Sequence, residues 1–389
     1  MRARLVITGV LLLGLGSGGC SLFGGGDEDP IESPAELVQF EPTLEVRKVW
    51  SARIGGDSER LRLGLAPATD GARIYAGSHD GRVAAFDARE GNRVWVVETD
   101  LPLAAGPGYG GGLIVFGTTD GDLLALSAET GEEIWRQAIG SEILAPPAIG
   151  SDTVVVRSVD GRLRGFSPAD GRQLWSVEQS VPAFTMRGNT APYITGTVVV
   201  TGFDNGRLGA YDVTSGDPLW ELAVAIPTGR TALERLVDVS AGLQVVGNDV
   251  YAVGLGRTVG VALETGLVLW QRELSSHSGL GADFNNVYVT NDVSEIVALD
   301  RTGGVPRWSQ DALRLRDVTA PTRFGRTIVV GDLEGYVHWL SPDDGRFLAR
   351  ARASSQRITA APLVVADYLF TQSEDGTLAA FTIVVDDAG

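Results

Sequence analysis

Residues Asp120 to Trp135 read DGDLLALSAETGEEIW, and the architecture follows from this phrase. Asp-Gly makes a tight turn, Leu123 to Leu126 form a short strand, Glu129-Thr130-Gly131 turns again, and a second strand ends on a large aromatic. The phrase returns as DGRVAAFDAREGNRVW from Asp80, DGRLRGFSPADGRQLW from Asp160 and NGRLGAYDVTSGDPLW from Asn205. Units of about 40 residues that each have only one or two buried faces must stack into a single body, so length alone does not imply several domains.

The strand-ending aromatics are Trp50, Trp95, Trp135, Trp175, Trp220, Trp270 and Trp308, with Ala349 at the equivalent place in an eighth unit. The turns that precede such strands centre on Gly81, Gly121, Gly161, Gly206, Gly256, Ser294, Gly335 and Gly376. An earlier strand pair precedes each turn, as in Ala145 to Ile149 and Asp152 to Arg157. Four strands in each of eight units predict an all-β, eight-bladed β-propeller. The two sets are offset, because Trp50 has no turn before it and the Gly376 unit runs out of chain before its aromatic strand. The N-terminal strand is therefore expected to complete the last blade, closing the ring and removing exposed edges. Each tryptophan buries roughly 150–250 Å² and reads as a structural contact between blades, since the spacing spreads the rings around the propeller.

Asp and Glu number 49 against 32 Lys and Arg, a net charge of −17. Such a surface repels nucleic acid and anionic headgroups, so neither is expected as a partner. The single cysteine, Cys20, excludes a disulfide within the chain. Arg2 and Arg4 precede an apolar run from Leu5 to Leu15, and Ser17-Gly18-Gly19 leads into Cys20. This pattern resembles a bacterial lipoprotein signal, which implies acylation of Cys20 and membrane attachment through that anchor alone. Ser21 follows where an aspartate would imply inner-membrane retention, so an outer-membrane anchor facing the periplasm is expected. The resulting organisation is a leader over 1–19, an acidic Gly/Pro-rich flexible tether over 20–45 and the propeller over 46–385.

The turns between second and third strands lie on the same propeller face as the connections that follow each aromatic strand. Trp95 to Gly121 and Trp135 to Gly161 each span 26 residues, whereas Trp175 to Gly206 spans 31 and Trp220 to Gly256 spans 36. Trp50 to Gly81 also spans 31, a spacing for which the sequence supplies no reading. Phe184, Met186 and Arg187 sit in the first of the two consecutive extensions, and Leu233, Arg235, Leu236 and Asp238 in the second. Aromatic, Met and Arg side chains on a solvated connection have the composition of interface cores, so this face is expected to dock a protein.

Catalytic chemistry is not indicated. His79, His277 and His338 lie in different repeats without ligand spacing, and no GxSxG motif occurs. The GxGxxG matches at Gly14 and Gly106 lie in the leader and before a strand, so neither places a helix N-terminus on a pyrophosphate. Asp80, Asp120, Asp160 and Asp375 are the residues a tight turn prefers, and neither metal nor cofactor is expected.

The AxxxTGxxxW phrase of Ala125 to Trp135 resembles the repeat of quinoprotein alcohol dehydrogenases. Those propellers carry a vicinal cysteine pair over the quinone, which this chain lacks. Taken with the leader, nearly the whole chain is similar to the BamB family, propeller lipoproteins of the machinery that inserts β-barrels into the Gram-negative outer membrane. The resemblance rests most on Met186-Arg-Gly-Asn-Thr-Ala-Pro, Asp204-Asn-Gly-Arg-Leu, Glu234-Arg-Leu-Val-Asp-Val and Gly331-Asp-Leu-Glu-Gly-Tyr-Val-His-Trp. It implies a non-catalytic scaffold, monomeric apart from its complex, that docks on the POTRA domains of BamA and helps deliver unfolded outer-membrane proteins. By motif, the contacts would come from Phe184, Met186, Arg187 and Asp238, with Arg235 in the same extension. Ser240 stands where the family commonly has a second acid. The other reading is a periplasmic propeller that binds a small ligand in its central channel, which would need converging polar groups there.

Overall fold

The computed structural model describes residues 32–55, 63–182, 190–225, 239 and 241–384. Eight antiparallel sheets follow one another along the chain, at residues 68–98, 103–138, 148–178, 193–223, 242–272, 279–310, 322–352 and 363–383. They are blades 1 to 8, with strands A to D running outward. The last sheet takes its outer strand from the other end of the chain. Val46–Arg53 pairs antiparallel with Thr377–Ile383, from Val46 opposite Ile383 to Arg53 opposite Thr377. The expected eight-bladed ring closed by its N-terminal strand is thus the observed one.

Burial follows position in the blade. Strands B and C are covered on both faces by neighbouring blades, so Leu113–Thr118 and Asp122–Ser127 read as near-continuous apolar runs. Outermost strands such as Glu133–Ala138 bury only the tryptophan and expose the residues around it.

Junctions between blades share one construction. The indole Nε1 of Trp50, Trp95, Trp135, Trp175, Trp220, Trp270 and Trp308 donates to a backbone carbonyl at the C–D turn of the following blade, at 2.7–3.1 Å. Each ring lies flat against the glycine of that turn. A Cβ built on Gly91, Gly131, Gly171, Gly216, Gly266, Gly304 or Gly345 would fall 2.5–2.8 Å from the indole. These glycines also have φ of 63–78°, so both backbone and contact require glycine. Across the blade, each tryptophan faces Ala or Gly, as in Trp135 opposite Ala125 and Trp175 opposite Gly165.

Blade 7 inverts this pairing, with Ala349 on strand D facing Trp339 on strand C. The reason lies in the next blade. Blade 8 draws its C and D strands from opposite ends of the chain, so it has no C–D turn to supply a glycine and a carbonyl. The large ring sits one strand inward instead, fully buried and edge-on to Phe381 at 5.6 Å.

Two segments depart from the sequence-based expectations. Residues 34–45, placed in the tether by composition, run across the outer strand of blade 7. Ala35 N–H donates to Arg314 O at 2.9 Å, and the Thr43 and Leu44 N–H groups donate to Leu348 O at 3.0 and 3.1 Å. Leu37 and Leu44 pack into the clusters on either side, and Phe40 stacks on Phe347 at 5.5 Å. Arg316 donates to Ala35 O at 2.9 Å and Arg350 to Val38 O at 3.0 Å. Both arginines belong to one buried network. Arg316 Nε bonds Asp332 at 2.9 Å, His338 Nε2 lies 3.1 Å from the same carboxylate, and Arg350 Nε donates to His338 Nδ1 at 3.2 Å. Alternating apolar anchors every three or four residues, hidden among acid and proline, make this segment a strap.

The second departure explains the long Trp50–Gly81 spacing. Gly64–Leu65 pairs in parallel with the innermost strand of blade 2, Leu103–Gly110, adding a fifth strand on the channel side. The extra residues of that connection therefore narrow the channel.

Candidate functional site

Recurring hydrogen bonds fix where each strand-D connection leaves and returns. In blade 2, Ile139 and Gly140 N–H donate to Gly121 O, and Ile143 N–H returns to Thr118 O. In blade 7, Ala353 donates to Gly335 O and Ile358 to Asp332 O. The B–C turn thus holds both ends of the connection, which places turns and connections on one face. Blade 4 repeats the pattern with Val224 and Ala225 on Gly206 O and Val239 on Phe203 O. For blade 3, Gln179 donates to Gly161 O at the departing end.

Phe184, Met186, Arg187, Arg235 and Asp238 lie outside the described residues, as do Ser240 and Cys20. Their frame is described, and it converges on one turn, Phe203 to Arg207. Asn205 Nδ2 lies 3.3 Å from both Gln179 Oε1 and Ser180 Oγ, at the start of the first extension. Gln179 in turn bonds Glu221 at 2.5 Å and Tyr211 at 3.2 Å, and Tyr211 donates to Glu221 at 2.8 Å. Burial and this carboxylate together push the Tyr211 phenol well above its usual pKa, so it is a hydrogen-bond donor at any physiological pH. Asp204, next along, forms a fully buried ion pair at 2.6 Å with Arg157 of blade 3. The two extensions found in the sequence are thus neighbours, joined at their bases through blade 4.

Sequence reasoning missed Arg157, although a signal existed. Four residues before the eight turn positions stand Gly77, Gly117, Arg157, Gly202, Ala252, Thr290, Gly331 and Gln372, so glycine holds four of them and Arg157 is the charged exception. Those glycines accommodate close approach: a Cβ on Gly117 would meet Ile143 at 2.3 Å, on Gly202 Val239 O at 1.8 Å, and on Gly331 Ile358 at 2.7 Å.

The central channel is the other concave feature. A cavity of about 470 Å³ is lined largely by small residues and backbone from the inner strands, including Gly64, Ala191, Gly242, Ala320 and Ala360. Charged groups form one arc of its wall. His277 lies 3.1 Å from Asp292 and 3.9 Å from Asp317, and Arg357 bridges Asp317 at 2.7 Å and Glu374 at 3.1 Å. The hydrogen bond to Asp292, then that to Asp317, raises the His277 pKa to about 9, so it is a cation at neutral pH. His277, Asp317 and Arg357 come from the connections that follow blades 5, 6 and 7, and Asp292 and Glu374 from the B–C turns of blades 6 and 8, a convergence that spacing along the chain does not reveal. They chiefly neutralise one another.

Comparison with known proteins matches residues 39–99, 79–310 and 294–385 to the family described as "Outer membrane protein assembly factor BamB". An outer membrane protein assembly factor BamB from Pseudomonas aeruginosa is 48% identical over 351 residues, covering 90% of this chain and 92% of that one. The crystal structure of BamB from Moraxella catarrhalis superposes with a TM-score of 0.79 at 28% identity, covering 87% of this chain and all of that one. A quinohemoprotein alcohol dehydrogenase from Comamonas testosteroni reaches a TM-score of 0.69 at 13% identity, covering 87% of this chain and 76% of that one, which is a likeness of fold.

Proposed function

This chain belongs to the BamB family of outer membrane protein assembly factors, and on that premise we propose that it is a non-catalytic scaffold docking on the periplasmic POTRA domains of BamA. It assists delivery of unfolded β-barrel proteins to that partner, held at the outer membrane on its periplasmic side by an acyl anchor on Cys20. The observation that carries this reading is the pair of consecutive extensions on one face, with their bases gathered on the Phe203–Arg207 turn. Phe184, Met186, Arg187, Arg235 and Asp238 are the contact residues. Apolar and arginine side chains in two neighbouring connections have the composition of a desolvated interface centre.

The test is a titration of the chain lacking residues 1–20 against the BamA periplasmic domains, with Arg187→Glu alongside. Reversing a charge within the interface costs about 2–5 kcal/mol, a loss of roughly thirtyfold to several thousandfold in affinity. Binding by the wild type and not by the folded variant supports the docking face; equal binding by both moves the interface elsewhere. No binding by the wild type would favour the second reading, a small ligand in the channel, for which the cavity of about 470 Å³ is the one favourable observation.

A further inference from the structure

We propose that Arg157, Asp204 and Asn205 are positioning residues that hold the described ends of the two long connections, at Gln179 and Ser180, Val224 and Ala225, and Val239, in place for the partner, an inference resting on the docking reading above. In blades 2, 4 and 7 the returning connection packs on a glycine, through Ile143, Val239 and Ile358. In blade 3 the equivalent position is Arg157. Its guanidinium crosses to the next blade, where Asp204 receives it 2.6 Å away with both side chains almost wholly buried. Asp204 belongs to the turn whose Phe203 and Gly206 carbonyls take the N–H groups of Val239, Val224 and Ala225 at the two ends of the second extension. Asn205 adds the bonds to Gln179 and Ser180 at the start of the first. A single five-residue turn therefore touches three of the four loop ends, and the ion pair fixes it to the neighbouring blade. A buried pair can often be exchanged for apolar residues without loss of stability, so its presence here fits a geometric role better than a stabilising one.

The experiment uses full-length protein in detergent. Asp204→Ala removes the buried carboxylate that receives the Arg157 guanidinium and should lower both melting temperature and partner affinity. The double variant Arg157→Met with Asp204→Leu should recover most of the melting temperature while binding stays at least about tenfold weaker than wild type. Recovery of both would make the pair merely structural and overturn the proposal. Should the double variant not fold, Asn205→Ala removes the bonds to Gln179 and Ser180 together with the one its Oδ1 accepts from Arg207 N–H, and leaves the ion pair intact; it should weaken binding several-fold with little change in melting temperature, and unchanged affinity would overturn the proposal.

If the wild type does not bind the partner, the docking reading fails by itself, and coupling is read from amide hydrogen exchange. Val224, Ala225 and Val239 should then exchange about tenfold faster in Asn205→Ala, with Ala353 and Ile358 of blade 7 unaffected. Unchanged rates at the three amides would overturn the coupling.

Discussion

A tryptophan in this fold is defined by what receives it. Seven indoles each find a carbonyl to donate to and a glycine to lie against in the following blade. Where the following blade lacks that turn, the ring moves across the sheet from position 349 to Trp339. This makes a prediction at the residue scale. Trp339→Ala should cost about 3–5 kcal/mol in a urea titration, as for other large buried aromatics. Combining it with Ala349→Trp restores the repeat's usual order but not the missing receptor turn, so the double variant should remain destabilised. Full recovery would refute the account. The position of every tryptophan was legible in the sequence, and so was the anomaly at Ala349. Its cause was not, because the receptor belongs to another unit.

Among elements, the strap over residues 34–45 is the segment whose character composition concealed. Glu36, Glu41 and Glu45 and two prolines give it the look of a linker, yet Leu37, Phe40 and Leu44 fall where blade 7 offers apolar surface. Two arginines that brace its carbonyls share the Asp332–His338 network beneath. Beginning the chain at Glu45 should lower stability by about 2–4 kcal/mol, from lost charge-assisted hydrogen bonds and apolar burial less the ordering entropy regained. Beginning it at Pro34 should change little. Equal melting of the two truncations would show that the strap contributes nothing. The long first connection is a comparable case: its length was visible in the sequence, but its destination as a fifth strand of blade 2 depends on a parallel pairing with no local signature.

At the scale of the whole molecule, the ring brings together groups that no single repeat contains, and the His277 cluster shows how this affects stability. The pKa of His277 rises from 6.5 to about 9 on folding, so its stabilisation is complete below pH 6.5 and is lost as pH rises through 9. His338 has the opposite sense: burial, despite Asp332 alongside, lowers its pKa, so the unfolded chain takes up the proton first as pH falls below 6.5. Wild-type melting temperature should decline more steeply between pH 6.5 and 9 than that of His277→Gln, and parallel curves would remove His277 from the explanation. Periodic features were decided by sequence alone: blade number, the offset that closes the ring, the tryptophan strands, and the excess length of two consecutive connections. These repeat at fixed intervals, and a one-dimensional pattern records them. Only the tertiary structure decided which turn gathers the ends of both long connections, what Arg157 pairs with, where the strap lies and which charges meet at the channel. Each of those depends on neighbours brought in by the closure of the ring, and their separation along the chain carries no trace of that contact.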